Sequence, residues 1–242
     1  MNEKHLNVLC KTLKYIKTGI RFLDDLGGIP RNEITEICGP PGAGKTLFLG
    51  QIAFYYCMIN PRDYVMFFDA DKTLRPERFI HYCNIFGINC DKILNHIFLY
   101  EVESSEDIIA TANRIKQCSL VIIDSVPSLF REKLYYDNKF RKYLRELVRF
   151  GIYLRKITKH TTVVLSNQIR AVVKKRENNR YLFSMNNTSE TVPALGAVWE
   201  EFVDNRLVIR KMRRDLRIFI SSFSSSYPET FGLVKFSNEI FY

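Results

Sequence analysis

The amino-acid sequence predicts an α/β protein with a mostly parallel, twisted sheet that is flanked by helices. Apolar runs of strand length recur along the chain with helical stretches between them. A glycine-rich run lies between one strand-like and one helix-like segment, at 39–46. The last apolar runs follow one another without helices, which predicts antiparallel strands at the C-terminal edge of the sheet.

The first six predicted strands have apolar cores, so we expect them to be buried on both faces of the sheet. The predicted strands cover residues 33–38, 64–69, 97–100, 120–124, 162–167, 205–211, 217–222 and 232–236. The predicted helices cover residues 46–59, 76–86, 105–117 and 138–160. In the last helix, apolar residues recur at helical spacing and predict the buried face: Phe140, Leu144, Leu147, Leu154 and Ile157.

Length and composition indicate one globular domain. The chain has 242 residues, of which 46% are apolar and 26% charged. It contains no apolar stretch of about 18 residues, and its first apolar run is too short for a secretory signal, so we expect no membrane segment. The six cysteines form no C-x-x-C pair and are expected to be reduced, as in an intracellular protein: Cys10, Cys38, Cys57, Cys83, Cys90 and Cys118.

The net charge of +10 is concentrated in one segment. Residues 131–180 contain 15 basic and 4 acidic side chains, whereas basic and acidic residues nearly balance before and after that segment. A local excess of this size can attract a polyanion such as a nucleic acid. The alternative is a solvated helix face.

The run at 39–46 has the spacing G-x-x-x-x-G-K-T, which is typical of a phosphate-binding loop. Residues without a Cβ let backbone N–H groups approach a triphosphate, and the next helix adds positive charge at its N-terminus. Lys45 is expected to reach the β and γ phosphates, and the Thr46 hydroxyl to coordinate Mg²⁺. A chance turn is the alternative, but the flanking segments favour nucleotide binding by Gly39, Pro40, Pro41, Gly42, Ala43, Gly44, Lys45 and Thr46.

Acidic residues follow two of the predicted strands at the edge where ligands of open α/β sheets bind. Asp124 ends the run 120–124 and is the predicted second Mg²⁺ residue, acting through water. A carboxylate that only caps the next turn is the alternative. Another predicted strand, 64–69, ends beside Asp69 and Asp71, and one of these two is expected to orient or deprotonate the attacking water.

The predicted strand 162–167 leads into Gln168 and then into a long polar segment, 171–193. A loop of that length in a compact domain is either functional or mobile. An amide at the strand end beside the γ-phosphate could report the nucleotide state to this loop. A simple Asn-Gln turn is equally well supported by the residues alone.

Cations interleaved with aromatic rings, the pattern that single-strand binding uses, flank the long predicted helix. On the helix itself, Arg141, Arg145 and Arg149 recur at i+4 spacing and predict a solvated face. The candidate DNA contacts lie in the two neighbouring loops and are Arg131, Lys133, Arg170, Lys174, Lys175, Arg176 and Arg180.

Taken in order, the motifs resemble the ATPase core of RecA-like eukaryotic strand-exchange recombinases. They are TGIRFLDDLGGIP at 18–30, ITEICGPPGAGKT at 34–46, FDADKTLRPERF at 68–79, DS at 124–125 and SNQI at 166–169. VPALGAVW at 192–199, followed by NRL at 205–207, is similar to the recombinase paralogs. DKILNHI at 91–97 and FR at 130–131 are nearest to the C-type paralog.

The resemblance implies ATP binding with Mg²⁺, single-stranded DNA contact and a nuclear location. By position it implies catalytic roles for Lys45, Asp71 and Gln168, with Arg78 near the adenine and Gln168 linking the γ-phosphate to the second DNA loop. It further implies assistance to the main strand-exchange recombinase, together with other paralogs, in homologous recombination and double-strand break repair, in mitotic or meiotic cells.

Departures from the family pattern modify these expectations. The family's catalytic Glu aligns with Asp71, which is one methylene shorter, so we expect weak DNA-dependent ATP hydrolysis or none. We divide the chain into a short extension at 1–17 and an ATPase core at 18–242, without the family's helical N-terminal domain. Without the linker Phe-x-x-Ala segment, we expect no self-assembly through that contact, although a partner could insert its own segment.

Two alternative functions follow from the same residues. One is a catalytically idle, ATP-binding structural subunit of a repair complex, which Asp71 favours. The other is a P-loop kinase or sulfotransferase-like enzyme, and the predicted hairpin ending and Gln168 argue against it.

Overall fold

A computed structural model describes residues 14–133, 140–171, 191–226, 228–237 and 240–242. Its strands are β1 Tyr15–Ile16, β2 Ile29–Pro30, β3 Ile34–Gly39, β4 Val65–Asp69, β5 Ile97–Glu101, β6 Leu120–Asp124, β7 Thr162–Ala171, β8 Thr191–Pro193, β9 Asn205–Arg213, β10 Leu216–Ser224, β11 Thr230–Ser237 and β12 Ile240–Phe241. Its helices are α1 Arg21–Asp25, α2 Lys45–Ile59, α3 Glu77–Phe86, α4 Asp91–Leu94, α5 Ser105–Ala110, α6 Ala112–Ile115, a 3₁₀ helix Val126–Lys133, α7 Phe140–Ile157 and α8 Ala197–Glu200.

One large sheet organises the protein, with the strand order β12-β11-β10-β9-β3-β7-β6-β4-β5. Pairing is parallel from β9 through β3, β7, β6 and β4 to β5, and antiparallel from β9 to β12. The predicted fold class is therefore confirmed, including the antiparallel strands at the C-terminal edge.

The two faces of the sheet bury separate apolar clusters, because side chains alternate along each strand. On β4, Val65 and Phe67 pack into the cluster beneath α2, whereas Met66 and Phe68 pack into the cluster beneath α7. This double burial explains why the central strands are apolar without interruption.

The structure corrects several predicted elements. Strand β5 is not buried on both faces: its residues are half-buried or exposed, because it lies at the edge of the sheet. The predicted helix 105–117 is divided at Thr111, whose hydroxyl donates to the Ile108 carbonyl at 2.7 Å and so competes with helical pairing. In α7 the buried face includes Tyr143 and Phe150, while Phe140 is 59% exposed.

Short strands were not predicted, because pairs of two or three residues leave no periodic pattern in the sequence. Strands β1 and β2 pair with each other, β8 pairs with β7, and β12 pairs with β11. The five described cysteines are free thiols. No helix among the described residues is long and apolar enough to cross a membrane.

Candidate nucleotide site

The phosphate loop lies between the last residue of β3, Gly39, and the first residue of α2, Lys45. Gly42 and Gly44 have φ angles of 74° and 104°, which L side chains rarely adopt. A Cβ on Gly39 would lie 2.5 Å from the Ile209 carbonyl oxygen, whereas a Cβ on Gly42 would meet no atom of the described residues within 4 Å. The loop is thus packed against β9 on one side and open on the other, as a cradle for phosphates requires.

The Lys45 ammonium is held against this loop. Its Nζ donates to the carbonyl oxygens of Gly39 at 2.9 Å and Pro40 at 3.2 Å. Burial lowers the pKa of Lys45, and the negative charges of Asp124 and Asp71 partly oppose that shift. A cation held by neutral carbonyls close to carboxylates is placed to bind phosphate oxygens.

Asp124 ends β6 at the same edge of the sheet and is only 1% exposed. Its Oδ1 accepts a hydrogen bond from the Ser166 hydroxyl, whereas Oδ2 is buried and has no hydrogen-bond partner among the residues that the structure describes. Burial raises the pKa of Asp124 to about 6, although the Ser166 and Thr46 hydroxyls favour the ionised form. An unpartnered buried carboxylate oxygen is costly unless it has a ligand.

These residues fit a nucleotide-bound Mg²⁺. Magnesium in nucleotide sites keeps several waters and takes one or two protein oxygens together with phosphates, and it neutralises charge on the phosphates. The Thr46 hydroxyl lies beside Asp124, so the pair supplies the required oxygens. No cluster of three or more His, Cys, Asp or Glu side chains that could hold a metal occurs within the described residues, so a site made of protein ligands alone is not present there.

The structure distinguishes Asp69 from Asp71. Asp69 pairs with Asp124 in the sheet register and accepts a hydrogen bond from the Leu74 N–H at 2.8 Å, which makes it part of the strand-end framework. Asp71 lies on the following loop, where its carboxylate accepts hydrogen bonds from Ser125 at 2.9 Å and Ser128 at 2.5 Å.

The two serines were not predicted as site residues. Ser125 follows Asp124 through a cis peptide bond, and Ser128 lies in the first turn of the 3₁₀ helix. The sequence contained one signal for them: a serine directly after the strand, with a second serine three residues later. Their hydroxyls hold the Asp71 carboxylate in place. The negative charge of Asp71 raises the pKa of Lys45, which shows that this carboxylate lies close to the phosphate loop.

Gln168 lies beside the phosphate loop. It pairs with Gly39 in the parallel register of β3 and β7, and its carbonyl oxygen accepts the Ala194 N–H at 2.8 Å. Strand β7 then continues to Ala171 and pairs antiparallel with β8. The strands on both sides of the predicted basic loop therefore lie at the edge that carries the nucleotide site.

The candidate DNA contacts are only partly described. Arg131 and Lys133 end the 3₁₀ helix that follows Asp124, and Arg170 lies near the end of β7, each with its backbone alone described. These three backbone positions are on segments that leave the carboxyl edge of the sheet. The remaining predicted contacts lie outside the described residues: Lys174, Lys175, Arg176 and Arg180.

The predicted adenine contact, Arg78, lies in the first turn of α3. One helical turn later, the Tyr82 hydroxyl donates to the Leu47 carbonyl at 3.5 Å. The middle of α3 thus contacts the first turn of α2, directly after the phosphate loop.

Arg217 is a further supporting residue that was not predicted. It is 5% exposed on β10, and its Nε donates to the carbonyl oxygen of Ala43 in the phosphate loop at 3.0 Å. Its guanidinium also lies over the Phe236 ring, 4.7 Å from the centroid. The antiparallel strand β10 therefore contributes a direct contact to the phosphate loop.

Fold and loop sequence together define a protein with a RecA-like α/β core and a P-loop. The Rad51 family model matches residues 10–239, so the chain belongs to the Rad51 family. Proteins of this family generally bind ATP with Mg²⁺, bind DNA and interact with other recombinase components.

Two curated relatives of the chain are DNA repair and recombination proteins named RadA. It is 29% identical over 184 residues to the DNA repair and recombination protein RadA of Metallosphaera sedula, covering 66% of this chain and 54% of that protein. It is 28% identical over 186 residues to RadA of Methanococcus maripaludis, covering 64% of this chain and 56% of that protein. The chain thus matches about half the length of these relatives.

Proposed function

We propose that this chain is a recombinase paralog, nearest to the C-type paralog, that binds Mg·ATP and single-stranded DNA. In this proposal it works in the nucleus with other paralogs and assists the main strand-exchange recombinase in homologous recombination and double-strand break repair. The observation that carries the proposal is the pairing of Gly39 with Gln168, because the phosphate loop and the strand that leads to the basic segment are then neighbours.

In this proposal each predicted site residue has its own role in binding nucleotide or DNA. Lys45 binds the β and γ phosphates, while Thr46 and Asp124 hold the magnesium. Gln168 senses the γ-phosphate and changes the position of the segment that follows β7. The basic segment binds the DNA backbone through charge, which makes its affinity dependent on salt.

A DNA titration tests the proposal. Labelled single-stranded DNA is titrated with and without ATP at several salt concentrations. We expect ATP to increase the affinity and log K to fall steeply with log salt, by about 0.7 for each phosphate contacted. Replacing Lys174, Lys175 and Arg176 by Ala is expected to flatten this slope.

The matched control replaces three arginines on the exposed face of α7. Arg141, Arg145 and Arg149 are exposed, so the triple Ala variant removes the same charge from a solvated face. We expect its salt slope to stay near that of the wild type. Absence of DNA binding even at low salt would refute the DNA-binding part of the proposal.

A second candidate function is an ATP-binding but catalytically idle structural subunit. It is favoured by Asp71, whose two carboxylate oxygens are both engaged by the Ser125 and Ser128 hydroxyls. Steady-state ATP hydrolysis separates the two functions: ATP binding without DNA-stimulated turnover supports the idle subunit. Reconstitution with candidate recombinase subunits identifies the partners.

A further inference from the structure

A buried carboxylate, Glu36, lies in β3 three residues before the phosphate loop and is 0% exposed. Its Oε1 accepts hydrogen bonds from Asn167 Nδ2 at 2.7 Å and Trp199 Nε1 at 2.9 Å. Its Oε2 accepts one from Arg206 Nε at 2.6 Å. Because a buried charge is tolerated only when it is paired, the fold depends on these three donors remaining in contact with Glu36.

The three donors come from three different elements around β3. Asn167 lies in β7 directly before Gln168, Trp199 lies in α8, and Arg206 lies in β9. Thus one carboxylate joins the strand of the phosphate loop to β7 and to the helix that follows β8. A displacement of β3 changes the hydrogen bond from Asn167 if β3 moves relative to β7, and the hydrogen bond from Trp199 if it moves relative to α8.

The cluster also contains one unused donor and one unused acceptor. Arg206 Nη2 and Asn167 Oδ1 are both buried and have no hydrogen-bond partner within the described part of the chain. A buried donor and acceptor that are each unsatisfied beside the same carboxylate favour a second arrangement in which they are satisfied. An element with two arrangements is what coupling between neighbouring sites requires.

We infer that Glu36 is a positioning residue that couples the phosphate loop to β7 and α8 through Asn167 and Trp199. This inference rests on the proposed nucleotide-binding function. Binding of phosphates moves the end of β3, the hydrogen bonds at Glu36 rearrange, and the indole of Trp199 changes its environment.

Trp199 supplies the measurement, because it is the only tryptophan in the sequence. Its intrinsic fluorescence is recorded while Mg·ATP is added, and binding is measured separately by isothermal titration calorimetry. We expect the emission spectrum to shift as Mg·ATP is added. The dissociation constant obtained from this shift should equal the one found by calorimetry. The shift should be lost in Lys45→Ala.

Asn167→Leu tests the coupling itself. The variant keeps a side chain of similar volume and removes one donor to Glu36, so we expect Mg·ATP affinity to stay within about tenfold and the emission shift to be lost. If this variant does not fold, Arg206→Lys tests the same coupling, and the emission shift should again be lost. Lys keeps the positive charge but lacks the guanidinium that donates to both Glu36 and Glu200.

Tyr153→Phe is the matched control. Tyr153 stacks on Phe150, which stacks on Trp199, with ring centroids 6.5 Å apart in both pairs. Its buried hydroxyl has no hydrogen-bond partner among the described residues, so the change leaves the contacts of Glu36 intact. We expect the emission shift of this variant to match the wild type.

The outcomes separate the two proposals. Absence of calorimetric Mg·ATP binding in the wild type refutes the proposed function and the inference together. Binding without a change in Trp199 emission, or an undiminished shift in Asn167→Leu, overturns the inference and leaves the proposed function intact.

Discussion

At the scale of single residues, the buried carboxylate of Asp124 is suited to bind a cation, but its negative charge destabilises the folded protein when no ligand is bound. Burial raises the pKa of this carboxyl to about 6, above the ordinary value of 3.8. The folded state therefore binds the proton more tightly than the unfolded state. The tighter proton binding contributes its full stabilisation of the folded state below the pKa that Asp124 has in the unfolded chain. This contribution is lost as pH rises through about 6, the pKa in the folded state.

Replacing Asp124 by Asn should accordingly stabilise the nucleotide-free protein at pH 7. We expect a gain on the order of 2–3 kcal/mol at pH 7, which shrinks toward pH 4, where Asp124 is protonated in the folded state. Denaturant unfolding at both pH values measures it, with the exposed Asp25→Asn as control. Equal stability of wild type and variant at pH 7 would contradict this account, and Mg·ATP binding should be lost in the Asp124 variant.

In the proposed function, Asp71 is the residue that orients or deprotonates the water that attacks ATP. Asp71→Glu adds the methylene that the family pattern contains, so we expect similar ATP affinity and higher turnover in the presence of DNA. A coupled ATPase assay measures this. Unchanged or lower turnover would remove Asp71 from the catalytic role and support the idle subunit.

At the scale of elements, two glycines inside helices should respond oppositely to substitution by alanine. A Cβ on Gly50 in α2 would lie 3.4 Å from the Leu74 Cδ1 atom, within ordinary contact distance. A Cβ on Gly151 in α7 would lie 2.4–2.6 Å from three ring atoms of Phe202. Helix propensity alone favours alanine at both positions.

We therefore expect Gly50→Ala to stabilise the protein by up to about 1 kcal/mol and Gly151→Ala to destabilise it by about 1–3 kcal/mol. The two variants serve as controls for each other, since both glycines are interior to a helix. Denaturant unfolding measures the difference. Changes of equal sign would show that local propensity dominates the packing against Phe202.

At the scale of the whole molecule, nucleotide binding should stabilise the entire core, because a ligand that binds only the folded state shifts the folding equilibrium. At a hundredfold excess over the dissociation constant the gain is about 2.7 kcal/mol, or roughly 5–10 °C in melting temperature for a chain of this size. We expect Lys45→Ala to abolish the thermal shift with Mg·ATP.

The control for this experiment is Lys72→Ala. Lys72 lies on the surface, where its ammonium is 2.8 Å from Glu103, so its loss should leave the thermal shift unchanged. Equal shifts for wild type and Lys45→Ala would show that the phosphate loop is not the binding site.

Much of the architecture could be predicted because long elements leave periodic patterns. The apolar runs of β3, β4, β6 and β7 and the helical spacing of α7 indicated a parallel sheet with helices on both faces. Elements with weak local signals were missed: the two-residue strands, and the break at Thr111, which depends on a hydroxyl and not on periodicity. Burial of β5 was overestimated, since sequence does not reveal which strand lies at the edge.

The sequence by itself determined the phosphate loop, because the glycine spacing and the following Lys45 and Thr46 are local requirements of phosphate binding. Only the tertiary structure decided what surrounds that loop. Asp71 meets its two serines more than fifty positions away, and Glu36 meets Asn167, Trp199 and Arg206, all more than 130 positions away. Contacts of this kind depend on the order and register of strands, and no pattern within a single segment contains that information.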